Sequence, residues 1–141
     1  MIRRKKKIQN EKCTQAILFA RVSSKKQKDK GVSLDVQMET ITKYCHDKGL
    51  KIIKDFSIDE SSTKGERKQY HEMLDFAKSC PGKVAIVVNY VDRLQRNYDD
   101  TYELNKLRKE GKIEVHFLRE QLIIHKDSNS LEINFWNMHV L

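Results

Sequence analysis

The chain has 141 residues, with 28 Lys and Arg against 20 Asp and Glu and 38% hydrophobic residues, which suits one domain around one core. Two full domains and global disorder are thereby excluded. So is a membrane span: the longest apolar runs, Ala16 to Ala20 and Val84 to Val88, fall far short of the roughly 20 residues a bilayer requires, and no secretory leader pattern opens the chain. Cys13, Cys45 and Cys80 are odd in number and lack a CxxC pair, so they read as free thiols in a reducing cytosol, two of them packed. The formal net charge of +8 points to an anionic partner, most commonly nucleic acid.

Residues 1–14 read as a flexible basic tail: Arg3, Arg4, Lys5, Lys6, Lys7 and Lys12 come with almost nothing apolar. A solvated tail is the simple reading and a DNA-touching arm the sharper one. The domain proper is expected over 15–141. Ala16-Ile17-Leu18-Phe19-Ala20 is too short for a helix and predicts a buried strand. A helix follows from Val32 to Lys48, with Leu34, Met38, Ile41 and Cys45 on one face, Ser33 as N-cap and Gly49 as the stop. Lys51 to Phe56 predicts a second strand, and Tyr70, Met73, Leu74 and Ala77 a second helical face that ends before Pro81-Gly82. Val84 to Tyr90 reads as a central strand buried on both faces.

A third helix is expected from Asp99 to Glu110, with Thr101, Leu104, Leu107 and Arg108 on one face and Gly111 closing it. Ile113 to Leu118 gives a fourth strand, Leu122 to Ile124 a short fifth, and the pattern is helical again from Leu131. Such alternation predicts a three-layer α/β/α fold, a mostly parallel sheet of four to five strands with helices on both faces. The last helical pattern reaches Leu141 without a C-cap, which is read as a fragment of a longer protein.

Reactive groups in an open parallel sheet collect beyond the carboxyl ends of the strands. Three polar segments follow those ends: Arg21-Val22-Ser23-Ser24-Lys25-Lys26-Gln27, Asp59 to Arg67, and Asp92-Arg93-Leu94-Gln95-Arg96. One edge would thus gather Ser23, Ser24, Arg21, Arg67, Arg93, Arg96, Asp59 and Asp92. No histidine lies in these segments to serve as a base, so a serine peptidase is a poor fit. A serine ringed by guanidiniums suits phosphoryl transfer, because charge grows on the non-bridging oxygens as the hydroxyl attacks and a planar fork can hold two of them. Asp92 would orient these arginines, and Asp59 would do the same or assist proton movement. Neither a metal-binding cluster nor a P-loop motif is present, so no cofactor or metal is expected.

Phe19-Ala20-Arg21-Val22-Ser23-Ser24-Lys25-Lys26-Gln27, then Gly31-Val32-Ser33-Leu34-Asp35-Val36-Gln37, then Asp92-Arg93-Leu94-Gln95-Arg96, resembles the catalytic domain of the serine site-specific recombinases. The middle block is most like the large serine integrase and transposase branch. The resemblance spans about Ala16 to Leu141. It implies that Ser23, directly after Val22, is a nucleophile that forms a 5′-phosphoserine linkage to DNA, while the neighbouring Ser24 is not. It further implies that Arg21, Arg67, Arg93 and Arg96 bind the scissile phosphate and that Gln27, Asp59, Ser62 and Asp92 complete the site. Double-stranded DNA is the implied partner, with dimers and tetramers of the full-length protein, no metal, no small-molecule substrate, no membrane, and cytoplasmic action at a prokaryotic nucleoid. One departure is Arg67-Lys68, where many integrase-like members have Arg-Pro. The family continues into a long helix and a DNA-binding region, and the chain is expected to end where that helix begins.

Bland readings stand beside these. His46, His71, His116, His125 and His139 show no ligand spacing and read as solvated or packed. Trp136, Phe135 and Met138 read as core, or as a subunit contact by the resemblance. Lys106, Arg108, Lys109 and Lys112 read as a solvated helix face. The alternative to a recombinase is a catalytically inactive basic α/β module that holds nucleic acid or serves assembly. A receiver-type phosphoacceptor is discounted, because Arg21 and Ser23 stand where its acidic cluster would be.

Overall fold

The computed structural model describes residues 13–22, 34–59, 63–89 and 98–138. Its elements in chain order are β1 (Gln15–Val22), α1 (Leu34–Asp47), β2 (Lys51–Asp59), α2 (Thr63–Ser79), β3 (Val84–Val88), α3 (Tyr98–Lys109), β4 (Ile113–Phe117), β5 (Leu122–Ile124) and α4 (Ser130–Asn137). The basic tail through Lys12, the Ser33 cap, Tyr90, and the end of the chain from His139 lie outside the described residues.

The five strands form one sheet in the order β2-β1-β3-β4-β5. β1 pairs in parallel with β2 and β3, β3 in parallel with β4, and only β5 runs antiparallel, beside β4. The expected architecture is therefore the observed one. α1 covers one face, where Ile41 and Cys45 pack on Ala16, Leu18, Ala85 and Val87. α2, α3 and α4 cover the other, where Tyr70, Met73, Leu74, Leu104, Leu107 and Trp136 pack with Ile17, Phe19, Ile86 and Val88. Alternate residues of β1 and β3 thus enter two different cores. That is why both strands are unbroken apolar runs instead of alternating ones.

β2 lies at the sheet edge and runs to Asp59, three residues past the expected end at Phe56. Its polar extension is held by main-chain pairing, Ala20↔Ser57, Arg21↔Ile58 and Val22↔Asp59. An irregularity between Ala16 and Ile17 skips Ile53 in the register. A one-residue slip inverts side-chain parity, and here it sets Phe56 opposite Phe19 on the α2 side.

Gly49 and Gly111 end α1 and α3 as expected, at φ +70° and +75°. At each, two bonds close the helix: Leu50 N–H to Cys45 O and Gly49 N–H to His46 O, then Lys112 N–H to Leu107 O and Gly111 N–H to Arg108 O. α4 starts one residue earlier than expected, because Asn129 caps it reciprocally with Glu132. Trp136 is fully buried while Phe135 and Met138 are exposed, so only Trp136 belongs to the core. No helix among the described residues is long and apolar enough to cross a membrane.

The solvated-face reading is corrected at two positions. Arg108 is buried: its Nε and Nη2 donate to Asn105 Oδ1, and Nη1 to the carbonyls of His125 and Lys126. Lys112 donates to the carbonyls of Cys80 and Gly82, fastening the α2–β3 turn. Both cations satisfy main-chain carbonyls at the ends of elements. Lys106 and Lys109 are exposed. Of the thiols, Cys45 and Cys80 are buried and Cys13 half-buried, all free.

Candidate active site at the carboxyl edge of the sheet

β1 runs from the amino to the carboxyl edge of the sheet and ends at Val22, so Ser23 is the next residue in sequence. The register sets the backbone of Asp59 beside Val22 on the neighbouring strand, about 4.8 Å away in the pairing direction. Arg67 belongs to the amino-terminal part of α2, the helix that leaves the same edge after β2. Arg21, Asp59 and Arg67 therefore have backbones on elements that meet at one edge. Ser23, Ser24, Gln27, Ser62, Asp92, Arg93 and Arg96 lie outside the described residues. Their segments follow Val22, Asp59 and Asn89, the last described residues of the three strand ends.

The chain order reverses direction at β1: β2 lies on one side of it, and β3 and β4 on the other. The helices after β1 and β3 consequently cover opposite faces, which makes the carboxyl ends of β1 and β3 the switch point of the sheet, where open α/β sheets bind ligands. β1–β3 pairing ends at Leu18↔Val87, whereas β1 keeps pairing with β2 as far as Val22↔Asp59. Helices α1, α2 and α3 each begin at this edge, and the free N–H groups and positive dipole end of a helix amino terminus favour anions. An edge with three such termini suits an anion.

Sequence reasoning missed two residues here. Asn89, directly after β3, donates through Nδ2 to Gln37 Oε1 at 3.3 Å. Gln37 is only 5% exposed although polar, and lies in the first turns of α1. The signal was present: Gln37 stands three residues after Leu34 and four before Ile41, a core-facing position for a polar side chain.

The perturbed titratable groups among the described residues lie elsewhere, toward the amino edge. On β4, burial pushes the Glu114 carboxyl up, but hydrogen bonds and charge from His116 and Lys83 outweigh it and bring the group down to about 2. Lys83 Nζ is 2.8 Å from Glu114 Oε1, and His116 Nε2 is 2.9 Å from Oε2. The other His116 nitrogen, Nδ1, meets Tyr44 Oη of α1 at 2.6 Å. Burial, with the nearby Glu114 charge, raises the Cys13 thiol to about 11. A cavity of about 860 Å³ also opens at that edge, lined by Lys78, Lys83, Tyr102, Lys106 and Lys126 among others. Lys78 and Lys106 lie in the last turns of α2 and α3, whose dipoles favour cations. Among the described residues no group of three or more His, Cys, Asp or Glu is placed to hold a metal.

Comparison with known proteins agrees with this fold. The sequence profile of the family "Resolvase, N terminal domain" matches residues 16–139. Among solved structures, the N-terminal catalytic domain of TP901-1 integrase superposes with a TM-score of 0.65 at 22% identity, covering 89% of this chain and 90% of that one. The C-terminal catalytic domain of ISC1926 TnpA, an IS607-like serine recombinase, gives 0.55 at 22% identity, covering 86% and 76%. A resolvase family site-specific recombinase from Streptococcus pneumoniae gives 0.66 at 18% identity, covering 90% and 85%. No match among curated proteins accompanies these. With the fold of a serine recombinase catalytic domain and a family match over nearly its whole length, the chain belongs to the resolvase N-terminal domain family.

Proposed function

We propose that the chain cleaves and rejoins double-stranded DNA as the catalytic domain of a site-specific recombinase, serving integration, excision or transposition of a mobile element. The observation that carries this reading is the switch point between β1 and β3: the strand order and register bring Asp59, Val22 (directly before Ser23) and Asn89 (three residues before Asp92) to a single edge. Ser23 Oγ attacks the phosphorus of a backbone phosphodiester. The bond from phosphorus to the 3′ oxygen breaks, the 3′ oxygen leaves as a hydroxyl after gaining a proton, and the 5′ phosphate stays on the serine. Attack by another strand's 3′ hydroxyl reverses the step, conserving one phosphoester bond throughout, so no high-energy cofactor is consumed.

Arg21, Arg67, Arg93 and Arg96 hold the non-bridging oxygens, where charge grows in the transition state. Asp59 and Asp92 orient these guanidiniums, and Gln27 and Ser62 complete the hydrogen bonding. Strand exchange requires dimers that pair into tetramers in the full-length protein. The exposed stripe Leu131, Phe135 and Met138 on α4 is the apolar surface that supports self-association. The site of action is the cytoplasm, at the nucleoid.

The test uses the protein incubated with duplex DNA from the ends of the element that encodes it, then denatured and probed for protein joined to a 5′ DNA end. An adduct lost in Ser23→Ala and kept in Ser24→Ala is the expected result. Bound DNA without an adduct would leave a basic module that holds nucleic acid without chemistry, its affinity falling with salt and indifferent to Ser23.

A further inference from the structure

We propose that Asn89, held by Gln37, is a positioning residue that fixes the end of β3, from which the arginine segment leaves, against α1, into which the nucleophile segment leads; this rests on the function proposed above. The ladder between β1 and β3 stops at Leu18↔Val87, so among the described residues no β1–β3 main-chain pair sets the spacing of the two strands beyond it. Asn89 sits just beyond, and its two ends are anchored to different elements. Its carbonyl accepts from Arg119 N–H at 2.8 Å, which continues the β3–β4 pairing past the last strand residue. Its side chain donates to Gln37 on α1 at 3.3 Å.

α1 is the helix into which the segment bearing Ser23 leads, and Asp92 lies three residues after Asn89. The contact therefore ties the start of one site segment to the helix that ends the other. Gln37 is 5% exposed, so its amide has little access to competing water, and a buried amide deprived of its partner is destabilised enough to hold the pairing in place. Neither residue is expected to touch the phosphate. They act by fixing the elements from which the site segments start and into which they lead.

The experiment compares near-isosteric variants, Asn89→Leu and Gln37→Met, with the swap Gln37→Asn plus Asn89→Gln, which keeps one amide pair across the same span. The rate of 5′ adduct formation is read at saturating DNA alongside DNA affinity, each normalised to folded protein. A misplacement near 1 Å slows a positioned reaction by roughly a hundredfold, so each single variant should be slower by about tenfold or more, with affinity unchanged. Combining the two single substitutions should add nothing further, because both remove the same contact. The swap should recover most of the rate.

Single variants that react within about twofold of the parent would overturn the inference, as would a swap no faster than the singles. A fall in affinity with the saturated rate intact would also overturn it, since that marks a DNA contact. If the parent itself forms no adduct, the proposed function fails and this inference with it. If the parent reacts and the variants match it, only the inference fails.

Discussion

Replacing Glu114 by Gln should weaken the fold near neutral pH, and the loss should disappear in acid. The carboxyl lies at about 2 instead of its ordinary 4.5 because the hydrogen bonds and charge of His116 and Lys83 outweigh its burial. Each tenfold change in a protonation equilibrium corresponds to about 1.4 kcal/mol, so this displacement favours the folded state by roughly 3 kcal/mol. The side chain is 16% exposed, so solvent screening removes little of that. A carboxyl lowered by folding stabilises fully above 4.5, and the contribution fades as pH falls toward 2. Gln is isosteric and retains an acceptor for Lys83, so the comparison isolates the charge. Urea unfolding of both proteins across a pH series should show a gap of about 2–3 kcal/mol near neutrality, closing at the acid end. A gap that stays constant with pH would refute the reasoning, because a purely steric or hydrogen-bonding loss does not titrate.

Trp136 is fully buried, so Trp136→Ala should cost about 3–5 kcal/mol in chemical denaturation. Leu131→Ser and Met138→Ser, at positions 79% and 75% exposed, should stay within about 0.5 kcal/mol of the parent; comparable losses would contradict the assigned faces of α4. Arg108→Met removes the donor to the His125 and Lys126 carbonyls and to Asn105, and should cost about 2–3 kcal/mol, with Arg108→Lys a poor rescue because one ammonium cannot reproduce the fork. The Cys13 and Cys45 thiols are raised from 9.0 to about 11, both chiefly by burial. Their stabilising effect is complete below 9.0 and is lost as pH rises toward 11. Alkylation of either thiol in the folded protein at a free-thiol rate in mild alkali would contradict this.

β1 and β3 were legible in the sequence because burial on both faces leaves an unbroken apolar run, and the stops of α1 and α3 because positive φ selects Gly49 and Gly111. The extra length of β2 was not legible. Ser57, Ile58 and Asp59 pair through their main chains with β1, and no side-chain pattern records that. The skipped Ile53 is hidden for the same reason: the parity of an edge strand is set by its neighbour. Arg108 was misjudged although it shares a helix face with Leu104 and Leu107. Its partners are carbonyls in the β5–α4 connection, remote in sequence, and a charged side chain on a helix ordinarily faces water. The Asn129 and Glu132 cap is written three residues apart in the sequence, one residue ahead of the helical pattern that the apolar positions mark from Leu131. At the candidate site, the resemblance supplied the motif residues in order, whereas the Gln37–Asn89 contact depends on which strand lies beside β1, which local sequence does not state.

The two edges of the sheet divide the work in a way that follows from where charge can be satisfied within the chain. Toward the amino edge, Lys83, Lys112, Arg108 and Glu114 each find permanent partners in carbonyls or in one another, and their charges are spent on stability. In the segments that follow the ends of β1, β2 and β3, the sequence supplies Arg21, Arg67, Arg93 and Arg96 against Asp59 and Asp92. In the proposed function these four guanidiniums outnumber the two carboxylates, so the set carries positive charge that it does not neutralise within itself. In the proposed function a DNA phosphate supplies the missing charge, and its own charge grows during attack, so the attraction is strongest in the transition state. Had those arginines been matched one to one by carboxylates, binding and rate would both have suffered, because each internal pair would first have to be broken to release a fork for the phosphate. In the proposed function, that excess of guanidinium over carboxylate is what lets Ser23, in segments that carry no histidine, serve as the nucleophile.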